Sequence, residues 1–582
     1  MTNGIPLPIG SYVTADPSAS CKRLVNIFSE PAPQDSVLTE LKGGNPYQES
    51  APSYLRRWAG ITPFANDSTS KPCRGLWTMQ GVLYAVIGPT LYSVNSATGA
   101  LTQLGTGIPG NGFVRMTDNT ACLVILVPNS KNCFTYCPNT VSTLETLTNV
   151  NILDTTGDFT CDATTLTLGQ QVTITGAFAG PAGIAGYTSG PTVYQIISTD
   201  GATVFTLATV TGQNLTTIAG SASGATFQTG QSAQPAFQAL NSGLFATYGA
   251  IDCHFLDSFI VFLAMGGRLF YNDDGQISSG QNQITFNTNA TFPREFGTDL
   301  FVGMGSDHRE ITLFGLWSSE GYLNVGNPVG TPFSAAPQSF VELGCHPDCA
   351  YTIALQDQAL FWVANDKTVR RKSGQTPTRV SNSGIEAIIE HADLTGAYAL
   401  APNIAGHPLW VLVMPAISRT VAYDCLTTEW FEIESYGLGY WRALCYNNAY
   451  GKQFVGDSQG NGLGYLDTSV FTEFGNKLVV SFTTQPIYKD HNRIVHRRVE
   501  LVTTVGEDGY PGAKVTMQVS DDAANTFRSF PLRNLGSLGS FFTRATWFNL
   551  GQARNRVYRF NISDPTQVFT VQITTDIELA KW

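Results

Sequence analysis

The stretch Gly75–Val94, GLWTMQGVLYAVIGPTLYSV, holds three short apolar runs separated by Gln80-Gly81 and Gly88-Pro89. Each run is rich in β-branched and aromatic residues and too short for a stable helix, so the segment reads as a three-stranded antiparallel meander. Ser258–Asn272, Ile311–Val325, Gln358–Val369 and the run from Pro408 through Met414 to Trp430 have the same make-up. Small meanders recurring every roughly 40–50 residues are the pattern of β-propeller blades. A stack of independent β-sandwiches is the other arrangement such a pattern allows.

Outward from these units the period stays at two. Val499, Leu501 and Thr503 alternate with Arg498, Glu500 and Val502, and Val515, Met517 and Val519 alternate with Thr516 and Gln518. Such alternation puts one strand face on a core and the other in water. Turn signals punctuate the chain at Ala97-Thr98-Gly99, Asn272–Gly275 and Gly326–Pro328. No long stretch carries a 3.6-residue period, so the fold is expected to be all-β.

Composition narrows the function. Of 582 residues, 13% are charged, 43% are hydrophobic and 57 are Gly, with a net charge of −11. Soluble domains average about 25% charged residues, and coiled coils carry far more. The apolar content excludes disorder, and the negative balance excludes nucleic-acid binding through overall positive charge. The longest apolar stretches, Cys122–Val127 and Phe259–Met265, fall far short of the ~18 residues that span a bilayer. The opening MTNGIPLP lacks a basic export signal, so neither membrane insertion nor export is expected. The 11 cysteines are read as mostly reduced, buried thiols.

Residues 1–70 read as an N-terminal arm and 71–150 as the first part of a propeller. Residues 151–240, rich in Thr, Gly, Ala and Ser and without a single Lys or Arg, read as a small inserted β-domain. Residues 241–485 continue the propeller, and 486–582 form a β-rich C-terminal region with 12 Lys and Arg against 9 Asp and Glu.

Several motifs invite a chemical reading. Gly456–Gly460 matches G-x-S-x-G, but the following Asn461–Asp467 reads as a turn and a strand rather than the helix a nucleophile elbow needs, so a β-turn is expected. Cys133 with Cys137, and Cys345 with Cys349 around His346, have the spacing of thiolate pairs for zinc. A chain with this much apolar core does not need metal to fold, and ordinary thiols are expected. Ser520–Phe527, SDDAANTF, resembles the Asp-box hairpin of sialidase-like propellers, a structural turn, with Ala524 where glycine is usual. Glycoside hydrolysis needs two flanking carboxylates, and none stands out. No catalytic, cofactor-binding or metal residue is expected. The basic residues Arg493, His496, Arg497, Arg498, Arg554, Arg556 and Arg559 read as a strand face or protein contact rather than a phosphate grip.

Leu7–Glu30, with its Leu-Pro opening and the run Arg23-Leu-Val-Asn-Ile27, resembles the start of the tail hub, or packaged-DNA stabilisation, proteins of short-tailed bacteriophages. Arg57–Ile61 resembles their next segment, with Ala59 in place of proline. Arg74-Gly75 followed by Leu83-Tyr84 and Leu91-Tyr92, Leu313–Gly315 with Tyr322-Leu323, and Gly456–Ser458 with Tyr465–Asp467 resemble their blades. Arg498–Glu500, Val519–Asp521 and Gly551–Arg559 resemble their ending, and all of these stand in the family's order. The resemblance implies a non-enzymatic protein of the virion tail, made in the host cytoplasm. It would form a nozzle ring, usually of six copies, below the portal and adaptor, retain packaged DNA and form the channel for its ejection. The implied partners are copies of the chain, the head-to-tail adaptor, tail fibre, spike or needle proteins, and the passing double-stranded DNA; no cofactor is implied. Arg493, Arg497, Arg498, Arg554, Arg556 and Arg559 are then candidate subunit or adaptor contacts. The competing reading is a propeller that binds or cleaves receptor glycans, suggested by the Asp-box-like turn and by Trp77, Trp362, Trp410 and Trp430.

Overall fold

The computed structural model describes residues 5–7, 23–31, 53–138, 145–168, 170–209, 213–229, 236–240, 243–272, 290–292, 298–327, 331–489, 492–504, 510–536, 539–540 and 543–580. Strands dominate them, and among the described residues no helix is long and apolar enough to cross a membrane. Cys73–Met79, Val82–Ile87 and Thr90–Val94 pair in succession as an antiparallel meander, and Leu101–Thr106 adds a fourth strand. We call this blade 1. Four-stranded meanders recur as blade 2 (Arg115–Asp118, Leu123–Leu126, Cys133–Tyr136, Phe237–Ala239) and blade 3 (Asp252–Leu256, Phe259–Leu263, Leu269–Tyr271, Thr291–Phe292). Blade 4 is Phe301–Asp307, Glu310–Gly315, Ser319–Asn324 and Phe333–Ala335, and blade 5 is Ala354–Gln356, Ala359–Val363, Val369–Lys372 and Pro377–Arg379. Blade 6 is Tyr398–Leu400, His407–Met414, Arg419–Asp424 and Trp430–Glu432. Blade 7 takes Ala443–Ala449, Lys452–Asp457 and Leu463–Asp467, and its fourth strand is Gly60–Ala65, from before blade 1.

The first strands of blades 7, 1, 2, 3, 4 and 5 touch in turn, and the first strand of blade 5 packs on blade 6. Tyr398 of blade 6 donates to the Ala443 carbonyl of blade 7 at 2.7 Å, which joins these two neighbours. Every residue of Leu123–Leu126 and Ala359–Val363 is buried. Second strands lie between neighbouring blades and have no wet face, so they read as continuous apolar runs. In blades 1, 3, 4, 5 and 7 the first hairpin turns on two residues that both have positive φ: Gln80-Gly81, Asp257-Ser258, His308-Arg309, Asp357-Gln358 and Tyr450-Gly451. That geometry matches the right-handed twist of the strands it joins.

Where residues 1–70 are described, their strands pair with the propeller and the C-terminal sheets. Beside the ring-closing strand Gly60–Ala65, Leu24–Val25 joins the outer strand of blade 6 to Val480–Thr483. Ile27–Pro31 and Ser53–Arg57 form the edge of a C-terminal sheet with Phe569–Leu579, Ile494–Thr504 and Thr543–Ala553. The physical reason lies in buried polar links. Arg57 donates to the carbonyls of Asp564, Thr566 and Leu478, and Arg23 and Arg419 both grip the buried Glu432. The expected arm residues 8–22 and 32–52 lie outside the described residues.

A second C-terminal sheet (Val480–Thr483, Asn555–Ile562, Ala513–Ser520, with Arg528–Ser529 and Arg533–Gly536 at its edge) packs on the first around Trp547, Tyr558, Phe560, Val499 and Leu501. The module without Lys or Arg enters between the third and fourth strands of blade 2. Its eight-stranded sheet runs from Glu145–Leu147 at one edge to Gly220–Ser221 at the other over a core of Phe159, Phe205, Phe227 and Ile174.

Candidate functional site

The C-terminal basic residues divide by strand geometry. Arg556 shares the inward face of Asn555–Ile562 with Tyr558, Phe560 and Ile562, and all four are fully buried. Its guanidinium donates to both Asp521 carboxylate oxygens, at 2.6 and 2.9 Å, and to the Leu550 carbonyl at 2.7 Å. Arg556 is therefore a core residue, contrary to the expectation of a subunit or adaptor contact. His496 is also buried, with Nδ1 2.7 Å from the Tyr558 hydroxyl. Burial, and then the charge of Arg556, push its imidazole down to about 3. A bulge between His496 and Arg498 turns the next two arginines outward. There Arg497 meets Glu578 at 2.5 Å and Arg498 meets Asp576 at 2.9 Å, so both are half-exposed yet paired within the chain. Arg559 lies over the Phe527 ring at 3.4 Å. Arg554 is exposed at a bend, and Arg493 receives the Ala580 amide on its carbonyl at 2.9 Å. The six arginines do not form one patch.

The other motifs resolve into structure. Asp457 of Gly456–Gly460 sits in a strand–turn–strand, bound by Arg442 through two bonds of 2.7 and 2.9 Å and capping Asn461 N at 2.8 Å. In SDDAANTF, Asp522 accepts from Ser520 Oγ at 2.6 Å and from Thr526 N at 2.8 Å, an Asp-box-type hairpin. Arg74 is fully buried and donates to four carbonyls, those of Gly112, Gly88, Ile108 and Pro109. A side chain on Gly75 would meet Val114 at 2.5 Å, so the Arg-Gly pair joins blades 1 and 2. Trp362, Trp410 and Trp430 are core residues, and Trp77 donates to Asp118 at 2.6 Å. The three buried tryptophans cannot stack on a sugar, which removes most of the motive for the glycan reading.

The cysteines depart from expectation at one pair. Leu123 lies opposite Tyr136 in blade 2, so the next positions, Cys122 and Cys137, face each other with Cα atoms 4.3 Å apart and are joined as a disulfide. Cys122 and Cys137 are therefore not the free thiols expected of them, whereas Cys133 is a buried free thiol. Among the described residues, no group of three or more His, Cys, Asp or Glu side chains is placed to hold a metal ion.

The propeller axis holds a cavity of about 360 Å³, walled by the first strands of six blades. Arg115 of blade 2 and Asp252 of the adjacent blade 3 pair in its wall at 2.8 Å, with His254 Nε2 3.6 Å from the same carboxylate and its Nδ1 3.1 Å from Ser306 Oγ. Burial alone would raise the Asp252 carboxyl, but the charges of Arg115 and His254 hold it below the usual range. Tyr351 lies under the Arg115 guanidinium and against Phe113, whose ring centre is 4.6 Å away, at one mouth of the cavity. A volume in the small-molecule range of ~300–1,000 Å³ cannot pass a duplex.

Comparison with known proteins agrees with this architecture. A family model described as Bacteriophage P22 Gp10, beta-propeller, matches residues 45–176 and 187–471, and one described as Bacteriophage P22 Gp10, beta-sandwich, matches 480–578. No curated protein matches the chain. Among solved structures, the Pan2 WD40 domain of Neurospora crassa is 7% identical at a TM-score of 0.23, covering 80% of this chain and 95% of that one. The extracellular domain of the putative one-component system BT4673 from B. thetaiotaomicron is 11% identical at 0.18, covering 90% of each. TmCBM61, solved with β-1,4-galactotriose, is 16% identical at 0.13, and the match covers 18% of this chain and 65% of that one. At these TM-scores the likenesses carry no argument about function. The family matches span blades, module and sandwich alike, and the chain therefore belongs to the Bacteriophage P22 Gp10 family, as a structural protein of the phage virion tail.

Proposed function

We propose that copies of this chain, six in the arrangement its family resemblance implies, form the tail nozzle that receives packaged DNA from the portal and adaptor, retains it and channels its ejection. One observation supports the ring: the axis of a single propeller is a cavity of about 360 Å³, too small for a duplex, so a DNA channel would have to run between copies. The charge pattern supports free passage. The chain carries −11, and Arg497, Arg498 and Arg556 are each matched by a carboxylate of the same chain. A net-negative wall would repel phosphate and let a duplex slide. Exposed Arg554 remains a candidate contact to a neighbouring copy or the adaptor, and fibre, spike or needle proteins would attach to the outside of the ring. The action is mechanical, through docking, retention and opening.

Electron microscopy of tails carrying this protein tests the proposal. We expect a closed ring with an axial bore wide enough for a duplex. Density for the chain at a fibre tip, or in threefold spikes without a bore, overturns it.

A further inference from the structure

Cys73 opens the first strand of blade 1, and Cys445 lies on the first strand of blade 7. These two strands are 372 residues apart in sequence and meet where the ring closes, with the two sulfurs 4.0 Å apart. Cys445 Sγ also points at the Cys73 carbonyl, 3.4 Å away. The space the sulfurs occupy is kept open by Gly456. A Cβ at that position would sit 2.4 Å from the Cys445 sulfur and 2.7 Å from that of Cys73. So the glycine of the Gly-Asp-Ser motif is required by this thiol pair, while its neighbour Asp457 serves the turn.

We propose that Cys73 and Cys445 are a disulfide-forming pair that covalently joins the first and last blades once the protein meets an oxidising medium. The ring is otherwise closed by noncovalent contacts between these blades and by the added strand Gly60–Ala65. A link between residues so distant in sequence removes a large closure entropy from the unfolded chain. The sulfurs have to close from 4.0 Å to the ~2.05 Å of a disulfide.

The oxidant is a low-molecular-weight disulfide. Cys445 lines the axial cavity and is the half-buried member, so it reacts first. Its thiolate attacks one sulfur of the reagent, forming a mixed disulfide and expelling one reagent thiolate. The Cys73 thiolate then attacks the Cys445 sulfur and expels the second. The two protein thiol protons end on the two released thiols, and the reagent is reduced by the two electrons the pair gives up. Burial pushes the Cys445 thiol well up, which makes the exchange slow at neutral pH and faster in mild alkali.

The test uses the full-length protein, purified in reductant and then held with hydroxyethyl disulfide at pH 8.5. Free thiols are alkylated in denaturant, and the unreduced digest is mapped by mass spectrometry. We expect a peptide linking Cys73 to Cys445 beside one linking Cys122 to Cys137. Thermal unfolding should rise by about 5 °C beyond the gain shown by C445S, which keeps only the Cys122–Cys137 link. C73S should behave as C445S does. Alkylated Cys73 and Cys445 after this treatment overturn the proposal, whether or not Cys122 and Cys137 are linked. An equal oxidation gain in wild type and C445S overturns it as well.

Discussion

At the closing edge of the propeller, Arg442 binds Asp457 through two hydrogen bonds, and Glu473 lies fully buried beside them with neither carboxylate oxygen hydrogen-bonded. In the C-terminal sandwich, Arg556 binds Asp521 in the same two-pronged way, and the buried neighbour is a histidine, His496. The two clusters share an ion pair and differ in the third group. Glu473 has its arginine already engaged by Asp457, so burial pushes its carboxyl up to about 7, against the pull of the nearby Ser435, Arg442 and Trp441 and with a small further push from the Asp457 charge. His496 faces a cation, so burial and Arg556 push it down. Each surplus group is neutral at neutral pH or close to it, and each resists charging from the opposite side of the pH scale. The propeller seam is therefore strained by alkali and the sandwich by acid.

The largest effect separates the ion pairs from the surface. Arg556→Ala removes a fully buried guanidinium with three strong bonds and is expected to destabilise the protein by about 4 kcal/mol. Arg554→Ala, two residues away and exposed, should change stability by less than about 0.5 kcal/mol. Denaturant titration of both variants checks this. Equal effects would return Arg556 to the surface role its neighbours suggest.

Glu473→Gln comes next and bears on the propeller seam. Because the folded carboxyl titrates above its ordinary value, the folded state holds a proton the unfolded state has lost, and stability falls as pH rises from about 4.5 through about 7. The amide mimics the protonated acid, so E473Q should match wild type at pH 4 and exceed it by about 3 kcal/mol at pH 9. A variant that is less stable than wild type at pH 9 would mean that the carboxylate has a partner.

His496 works in the other direction. Its folded value lies below the ordinary 6.5, so the unfolded state takes the proton first, and stability falls as pH drops below 6.5 towards about 3. Between pH 8 and pH 5 the loss from this group alone is about 2 kcal/mol. His496→Gln should flatten that limb of the stability curve while leaving the alkaline limb, owed to Glu473, unchanged. Loss of both limbs together would couple the two clusters and undo the comparison.

How far the sequence shows these clusters depends on whether strand parity is local. In Asn555–Ile562 the period of two sets Arg556 with Tyr558, Phe560 and Ile562, so its burial is legible in the strand pattern, which separates it from the exposed Arg554 close by in sequence. His496 was not readable, because the bulge beside it shifts the parity that Val499 and Leu501 establish. The blades were legible from their apolar runs. Their exact turns were not, because His308-Arg309 and Asp357-Gln358 adopt left-handed backbone that Gly and Asn usually mark. The fourth strand of blade 7 was hidden for another reason. Gly60–Ala65 pairs with Leu463–Asp467 across the whole propeller, and no local pattern announces so distant a partner. Glu473 shares this dependence, since its burial follows from pairing beside Ile61.

The smallest effect tests the sandwich where its sequence departs from the Asp-box pattern. Ala524 holds φ at 68° while its amide donates to Ser520 Oγ at 2.9 Å, so the turn needs left-handed backbone at a residue that has a Cβ. For an L-residue that conformation costs about 1–2 kcal/mol, of which glycine returns part as greater freedom of the unfolded chain. Ala524→Gly is therefore expected to stabilise the sandwich by about 1 kcal/mol, and Ala524→Val to destabilise it by at least as much. Amide hydrogen exchange along Ala513–Ser520 and Arg528–Ser529 reads the change where it arises, free of the propeller's contribution. Slower exchange with glycine and faster exchange with valine would place the strain in this turn. The reverse order would mean that the hydrogen bonds around Asp522 fully compensate for it.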